Sequence, residues 1–423
     1  MNTKVKLTVL NFLEFAVWGA YLTSMGTYLA GVGMAGEIGW FYSVQGFVSL
    51  CMPALLGIVA DRWIEAQRLL SLCHLLAGTF MLGACAYGWQ AGDAVQFAPL
   101  FTLYTLSVAF YMPTIALTNS VAYSALDRAG LDTVKAFPPI RVFGTVGFII
   151  SMWIVDLGGM QSTPLQFGWS GVLGLALAAY ALCMPRCSIS HDSHKSLADA
   201  LGLKAFALFR NYRMAVFFFF SMFLGVCLQI TNGFANPFIT SFGKIQEYQS
   251  TFGVQHANIL ISLSQMSETL CILLIPFFLK RFGIKYVMLM SMLAWVLRYL
   301  FFAVGDPGSG LVWFVLSMIV YGVAFDFFNI SGSLFVDKET SVDIRNSAQG
   351  LFMMMTNGFG ATVGTLCAQQ VVNRFVFDLP ATASPLDVWH GWNTCWYIFA
   401  AYSLVLAVAF AILFHYKHEP EKA

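Results

Sequence analysis

Apolar residues dominate twelve stretches of the chain, and short polar segments separate them. About 20 consecutive apolar residues form a helix that crosses the ~30 Å hydrocarbon core of a bilayer. The predicted spans are Leu7–Tyr28, Trp40–Ala60, Leu69–Trp89, Phe97–Tyr123, Pro139–Val155, Phe167–Met184, Met214–Phe238, Ala257–Leu279, Tyr286–Val304, Leu311–Phe335, Ala348–Val372 and Trp392–Phe414. The pattern therefore predicts an all-α membrane protein with twelve transmembrane helices.

One longer polar stretch, RCSISHDSHKSLADALGLKAFALFRNYR, interrupts this pattern near the middle of the chain. We predict an N-terminal six-helix half at residues 1–185, a cytoplasmic linker at 186–213 and a C-terminal six-helix half at 214–423. The segment GIVADRW stands at the junction between the second and third spans, where major facilitator transporters carry a G-x-x-x-D-R motif. Two six-helix repeats that rock around a central cavity form the major facilitator fold, and we expect that fold here.

Composition supports a membrane protein and excludes several other classes. Hydrophobic residues make up 58% of the chain and charged residues only 10%, with a mean hydropathy of +0.72, which a water-soluble domain could not carry without aggregating. The net charge of +1 gives no indication of nucleic-acid binding. The nine cysteines show no metal-ligand spacing and no disulfide framework.

The positions of lysine and arginine predict the orientation. If both termini are cytoplasmic, 18 of the 22 basic residues lie in inside segments, and only Lys244 and Arg374 lie outside. Short cytoplasmic loops carry such an excess of basic residues. The remaining two, Arg141 and Arg298, fall within or at the margin of spans. We therefore expect a multi-pass protein with cytoplasmic N- and C-termini.

Five aspartate, glutamate or arginine residues fall within the spans: Glu14, Arg141, Glu268, Arg298 and Asp326. A charged side chain at the centre of a span costs about 2.5–3.5 kcal/mol, so such residues usually face a cavity or one another. Three acids cannot all be neutralised by two bases, so one acid should be protonated for part of the time. A proton-coupled carrier needs this behaviour and a passive scaffold does not. We expect Arg298 to pair with a neighbouring helix, and the role of Glu14 stays open.

Polar and aromatic side chains share helical faces near these residues, because positions three or four apart in a helix point the same way. The candidate set is Arg141, Thr145 and Phe148 in the fifth span, Gln229 and Asn232 in the seventh, Gln265 and Glu268 in the eighth, and Tyr321 and Phe325 in the tenth. Amide and carboxyl groups suit a polar solute, and aromatic rings offer flat surfaces to it. An intramembrane Gln or Asn is about as often a contact between helices as a ligand contact.

The position of Arg141 leaves a second interpretation open. It follows Pro138 and Pro139, and proline favours the first turn of a helix, so we expect the fifth span to start there. Arg141 would then lie near the cytoplasmic surface and could extend its guanidinium to water.

The chain resembles the nucleoside:proton symporters of the major facilitator superfamily, such as the enterobacterial nucleoside permeases. The resemblance covers nearly the whole chain and rests on MPALLGIVAD, FPPIRVFGTVGFI, LQITNGFAN, SQMSETL, IVYGVAFDFFNISGS, SAQGLFMMMTNGFG and YKHEP. It implies proton-coupled uptake of a nucleoside, such as uridine or adenosine, across the bacterial inner membrane by alternating access, with the proton as coupling ion and no other cofactor. It also implies that the candidate set contacts the solute and that Asp326, with Glu268, couples transport to protons.

Two other transport functions fit the same fold. A sugar or oligosaccharide symporter would also use intramembrane acids and aromatic stacking, and a drug efflux antiporter would use an acid within a larger apolar cavity. An enzyme is not expected, because the chain has no H-E-x-x-H motif, no paired Ser and His on a span and no phosphate loop. Nothing in the sequence requires more than a monomer.

Overall fold

The computed structural model describes residues 2–187 and 203–416, and within these ranges all regular secondary structure is helical. The chain divides into two compact units, Met1–Leu201 and Gly202–Ala423. Most of the predicted linker, residues 188–202, lies outside the described ranges.

The N-terminal unit contains six long helices. In chain order they are Thr3–Gly19, Ile38–Arg62, Ala66–Ala91, Phe97–Arg128, Thr133–Leu157 and Leu165–Ala181, and we number them as the first to sixth helices. The first helix was expected to continue to Tyr28, and this prediction was wrong. The chain leaves the helix after Gly19 and forms a separate short helix at Met25–Gly31. The Tyr42 hydroxyl donates a 2.5 Å hydrogen bond to the Leu22 carbonyl in the intervening turn, which satisfies a backbone group outside the helices.

The fifth helix also differs from its prediction, because it begins at Thr133 and contains Pro138 and Pro139. The Ala136 amide donates a 2.8 Å hydrogen bond to the Asp132 carbonyl, so a helical turn forms before the prolines. Both prolines lie in the second turn of the helix, where each lacks the N–H that would bond a carbonyl four residues earlier, and the helix continues through them. Arg141 therefore lies more than two turns inside its helix, not at the helix start.

The C-terminal unit contains the other six helices. The seventh is Tyr212–Ser241, the tenth is Leu311–Glu339 and the twelfth is Pro385–Leu413. The segment Ala257–Val304 is interrupted at Gly283, which has a φ of 78° and a ψ of 170°, a conformation that glycine adopts readily. This break separates an eighth helix, 257–282, from a ninth, 284–304. The eleventh helix runs from Val342 to Phe377 and includes a π-helical turn at Met354–Gly360.

The predicted number of transmembrane helices agrees with this architecture. By length and composition, nine helical segments in the described ranges could span a membrane, and the break at Gly283 divides one of them into two. Thr3–Gly19 and Leu165–Ala181, with 17 residues each, complete the set of twelve. The all-α, twelve-helix fold class is confirmed.

Close contacts between backbones hold helices together within each unit. In the N-terminal unit, a Cβ on Gly147 would overlap the Phe12 carbonyl, so the first and fifth helices meet at this glycine. In the C-terminal unit, a Cβ on Gly225 would overlap the Thr356 carbonyl, which joins the seventh and eleventh helices. Small residues allow such approach in membrane proteins, where the hydrophobic effect adds little between helices.

Candidate functional site

The fifth helix presents its three predicted residues beside the first helix. The Arg141 guanidinium carbon lies 3.8 Å from the centre of the Phe15 ring, a cation–π contact. Phe148 is buried and meets the Trp18 ring edge-on at 6.3 Å. Thr145, between them, is half-buried. Arg141 and Phe148 thus pack against aromatic side chains of the first helix.

Trp18 is a neighbour that the sequence did not single out as a site residue. Its ring lies 6.2 Å from that of Tyr111, and its indole N–H donates a 3.3 Å hydrogen bond to the Gln45 carbonyl oxygen. The Gln45 amide donates a 2.6 Å bond to the Tyr104 hydroxyl. This chain of contacts crosses the first, second and fourth helices and fixes the ring against which Phe148 packs.

The structure resolves the position of Glu14, which lies at the centre of a fully buried network in the N-terminal unit. His74 Nε2 lies 2.8 Å from its carboxylate, and the hydroxyls of Thr114 and Thr118 donate bonds of 2.6 and 2.9 Å to it. The Tyr111 hydroxyl donates a 2.8 Å bond to the Glu14 backbone carbonyl. Glu14 thus joins the first, third and fourth helices, and its carboxylate is satisfied within the unit.

The tenth helix carries a stack of aromatic rings in the C-terminal unit. Tyr321 and Phe325, one turn apart, are nearly parallel, with 6° between their planes and 5.8 Å between their centres. The Trp295 ring meets Tyr321 edge-on at 5.9 Å. The Arg298 guanidinium lies 4.6 Å from the Tyr321 ring centre. Phe325, at the end of the stack, is half-buried and so retains an accessible surface.

Arg298 pairs with neighbouring helices, as predicted. It is fully buried, and its Nη1 donates a 2.6 Å bond to the Ser317 carbonyl and a 3.3 Å bond to the Ser264 hydroxyl. The Ser317 hydroxyl donates in turn to the Arg298 carbonyl at 3.0 Å. These bonds tie the eighth, ninth and tenth helices together and fix the guanidinium against Tyr321.

The two predicted coupling acids lie on the eighth and tenth helices, which are in backbone contact. The Ser267 hydroxyl donates to the Ile319 carbonyl, and a Cβ on Gly322 would overlap the Ser267 carbonyl. This contact brings the Glu268 and Asp326 carboxyl groups close enough to interact electrostatically. Asp326 is only 5% exposed, and its Oδ2 accepts no hydrogen bond within the described part of the chain.

The predicted carboxamides of the seventh and eighth helices are half-buried. The side-chain carbonyl oxygens of Gln229 and Gln265 are buried, yet they accept no hydrogen bond from any described residue. Buried polar atoms usually find partners, so each unpaired atom calls for an explanation. No hydrogen bond between described residues joins Gln229 or Asn232 to Gln265. These groups therefore remain available to a polar solute.

The predicted residues fall into two groups, each within one unit. Arg141, Thr145 and Phe148 belong to the N-terminal unit, and the other seven belong to the C-terminal unit. The structure brings together Tyr321 with Phe325, and Glu268 with Asp326. Polar and ionisable side chains that recur along apolar, bilayer-length helices are typical of secondary transporters. The helices and their side chains therefore define the class of the protein, a multi-pass membrane transporter.

Comparison with known proteins identifies the family within that class. The profile of the family described as "Nucleoside H+ symporter" matches residues 1–419. The chain belongs to the nucleoside H+ symporter family. It is 47% identical to the xanthosine permease of Escherichia coli K12 over 426 residues, which cover 100% of this chain and 98% of that protein. It is 46% identical to the nucleoside permease NupG of the same organism over 422 residues, which cover 99% and 97% of the two chains.

Solved structures agree with this assignment. A crystal structure of the nucleoside transporter NupG matches with a TM-score of 0.88 at 46% identity and covers 99% of this chain and 100% of that one. A bacterial homologue of the human lysosomal transporter Spinster matches with a TM-score of 0.69 at 13% identity and covers 97% and 96%. The second match concerns the fold alone. These relatives are permeases, which confirms the prediction that the protein is a transporter and not an enzyme.

Proposed function

We propose that the protein imports nucleosides into the cell together with protons by alternating access. The observation that carries this proposal is the pair of acids, Glu268 and Asp326, held against a stack of aromatic rings inside a membrane-spanning bundle. The family is that of nucleoside H+ symporters, and relatives of 46–47% identity are named as nucleoside and xanthosine permeases. Membership of this family and the polar and aromatic side chains of the helices both support nucleosides as the substrate class.

The solute-contacting roles follow from the chemistry of each side chain. The half-buried face of Phe325 suits stacking with a nucleobase, and Phe148 offers a second aromatic surface in the N-terminal unit. The unpaired carbonyl oxygens of Gln229 and Gln265 suit hydroxyl or amine donors of a nucleoside. Asn232, Glu268, Tyr321, Thr145 and Arg141 complete the proposed set.

Asp326 is the proposed proton carrier, and Glu268 assists it. Two nearby carboxyl groups in a buried setting repel each other when both are ionised, so protonation of one relieves the repulsion. Protonation from the outside would accompany nucleoside entry, and release of the proton to the cytoplasm would reset the carrier. The alternation of the two six-helix halves, 1–185 and 214–423, would expose the acid to each side in turn.

The finer statements on location are also proposals. We place the protein in the bacterial inner membrane as a monomer, with both termini in the cytoplasm. The distribution of basic residues, 18 of 22 on the predicted inner side, supports this orientation. The predicted linker, residues 186–213, would then lie in the cytoplasm.

Uptake into membrane vesicles tests the proposal against other transport functions. Radiolabelled uridine, adenosine, xylose and a cationic dye would be supplied with and without an inward proton gradient. We expect gradient-driven accumulation of uridine and adenosine and no accumulation of the other two. Accumulation of xylose alone would indicate a sugar symporter, and proton-driven export of the dye would indicate an efflux antiporter. Nucleoside uptake that ignores the proton gradient would contradict symport.

A further inference from the structure

One face of the eighth helix is apolar and exposed. Leu270, Leu273, Leu274 and Phe277 are all exposed, and they share this face because they follow one another at spacings of three and four residues. The helix belongs to a segment that is long and apolar enough to span a membrane. Lipid acyl chains therefore lie against this face.

A basic side chain continues the same face toward the end of the helix. Arg281 follows Phe277 by four residues and is exposed. It lies 11 positions after Leu270, a distance of about 16 Å along a helix that rises 1.5 Å per residue. Half of the hydrocarbon core of a bilayer is ~15 Å thick. The apolar face thus has the length of one leaflet, and Arg281 lies at the depth of the lipid headgroups.

Two lysines accompany Arg281 at the break between the eighth and ninth helices. Lys280 is exposed, and Lys285 is half-buried, with its Nζ donating a 3.0 Å hydrogen bond to the Ala411 carbonyl of the twelfth helix. Tyr286 follows and is exposed, and tyrosine is enriched where a membrane meets water. Three cations and an aromatic residue typical of the membrane surface therefore lie within seven consecutive residues.

No acid offsets these charges in this part of the chain. Residues 269–305 contain no Asp or Glu, and neither Lys280 nor Arg281 forms an ion pair with any residue that the structure describes. Basic residues at the starts of four other helices do pair with acids, at 2.9–3.7 Å: Arg68, Lys135, Arg213 and Arg345. The charges of Lys280 and Arg281 therefore remain available to an anion at the membrane surface.

We propose that this end of the eighth helix binds the headgroup of an anionic phospholipid. Lys280, Arg281 and Lys285 surround the phosphate, and the acyl chains lie along the face from Leu270 to Phe277. Guanidinium and ammonium groups are the usual protein partners of phosphate, and basic clusters beside a transmembrane helix bind anionic lipids. The bound lipid ties the eighth helix to the ninth and, through Lys285, to the twelfth.

Thermal unfolding of the purified protein in a neutral detergent tests this site. The probes are phosphatidylglycerol and phosphatidylcholine with the same acyl chains, which differ in the charge of the headgroup. Phosphatidylglycerol should raise the thermal midpoint of wild type more than phosphatidylcholine does, because a ligand that binds the folded state stabilises it. The double variant Lys280→Gln/Arg281→Gln should need about 30-fold more phosphatidylglycerol for the same rise, since each basic residue near an anionic headgroup contributes about fivefold in affinity.

Arg128→Gln/Lys135→Gln is the matched control, because it removes two exposed basic residues from the ends of another pair of helices, where Asp127 and Asp132 accompany them. It should respond to phosphatidylglycerol as wild type does. The inference is overturned if both lipids raise the wild-type midpoint equally, or if the Lys280→Gln/Arg281→Gln protein and the control respond alike. An equal rise with inorganic phosphate alone would indicate a site for small anions and would overturn it too. None of these outcomes involves the transported solute, so the proposed function is tested separately.

Discussion

Removal of the Glu14 carboxyl group should strongly destabilise the N-terminal unit. The substitution Glu14→Ala deletes the acceptor of three side-chain hydrogen bonds, from His74, Thr114 and Thr118, at 2.6–2.9 Å. All four side chains are at most 1% exposed. Water therefore cannot replace the lost acceptor, and three buried polar groups lose their shared partner.

The expected magnitude follows from these contacts. Leaving a buried polar group without its hydrogen-bond partner costs about 1–3 kcal/mol, so three such groups cost about 3–9 kcal/mol together. A unit of 150–250 residues loses about 2–4 °C of thermal midpoint per kcal/mol. Glu14→Ala should therefore lower the midpoint by roughly 6–36 °C. Glu14→Gln should lower it less, because the amide oxygen still accepts a hydrogen bond.

The assay is thermal unfolding of the purified protein in detergent. Arg68→Ala is the control within the same unit, because its 2.9 Å ion pair with Glu65 lies at the surface, with side chains 59% and 21% exposed. An exposed pair contributes about 0–1 kcal/mol. Equal midpoints for Glu14→Ala and Arg68→Ala would refute the structural role of the buried network.

Three further predictions concern the site and its packing. Four single alanine substitutions should each weaken nucleoside binding by about 1–3 kcal/mol in uridine competition assays: Gln229→Ala, Asn232→Ala, Gln265→Ala and Glu268→Ala. Unchanged affinity in all four folded variants would show that these residues do not bind the solute. Phe148→Leu and Phe325→Leu should reduce transport more than thermal stability. A larger loss of thermal stability than of transport would indicate that these rings have a structural role only. Gly225→Ala should lower the midpoint, because its Cβ would overlap the Thr356 carbonyl, whereas Gly350→Ala meets no neighbour within 4 Å and should not.

Features with a local cause could be predicted from the sequence. The twelve spans follow from runs of apolar residues, whose length is set by the thickness of the bilayer. The eighth span was expected to end at Leu279 and the ninth to begin at Tyr286, and the break between the two helices occurs at Gly283. Tyr321 and Phe325 were expected to share a helix face, and their rings stack.

Features that depend on packing between distant segments could not be predicted. Glu14 was conspicuous as an acid in an apolar span. Its partner His74 lies 60 residues away along the chain, and no spacing rule relates two positions so far apart. The prolines of the fifth helix suggested a start at Pro139, yet a helical turn forms before them. The π turn at Met354–Gly360 adjoins the seventh helix through Gly225 and Thr356, a contact between positions that the sequence does not relate.

Proton-driven accumulation of uridine by the Asp326→Asn protein tests the proposed mechanism most directly. The substitution keeps the shape of the side chain and removes its titration. Purified wild type, Asp326→Asn and the control Glu247→Gln, which removes an exposed acid of the same unit, would be reconstituted into vesicles with an inward proton gradient. We expect wild type and Glu247→Gln to accumulate uridine with proton uptake. Folded Asp326→Asn should bind uridine without accumulating it. Accumulation of uridine against its gradient by folded Asp326→Asn, with accompanying proton uptake, would contradict the assignment of Asp326 as the coupling acid.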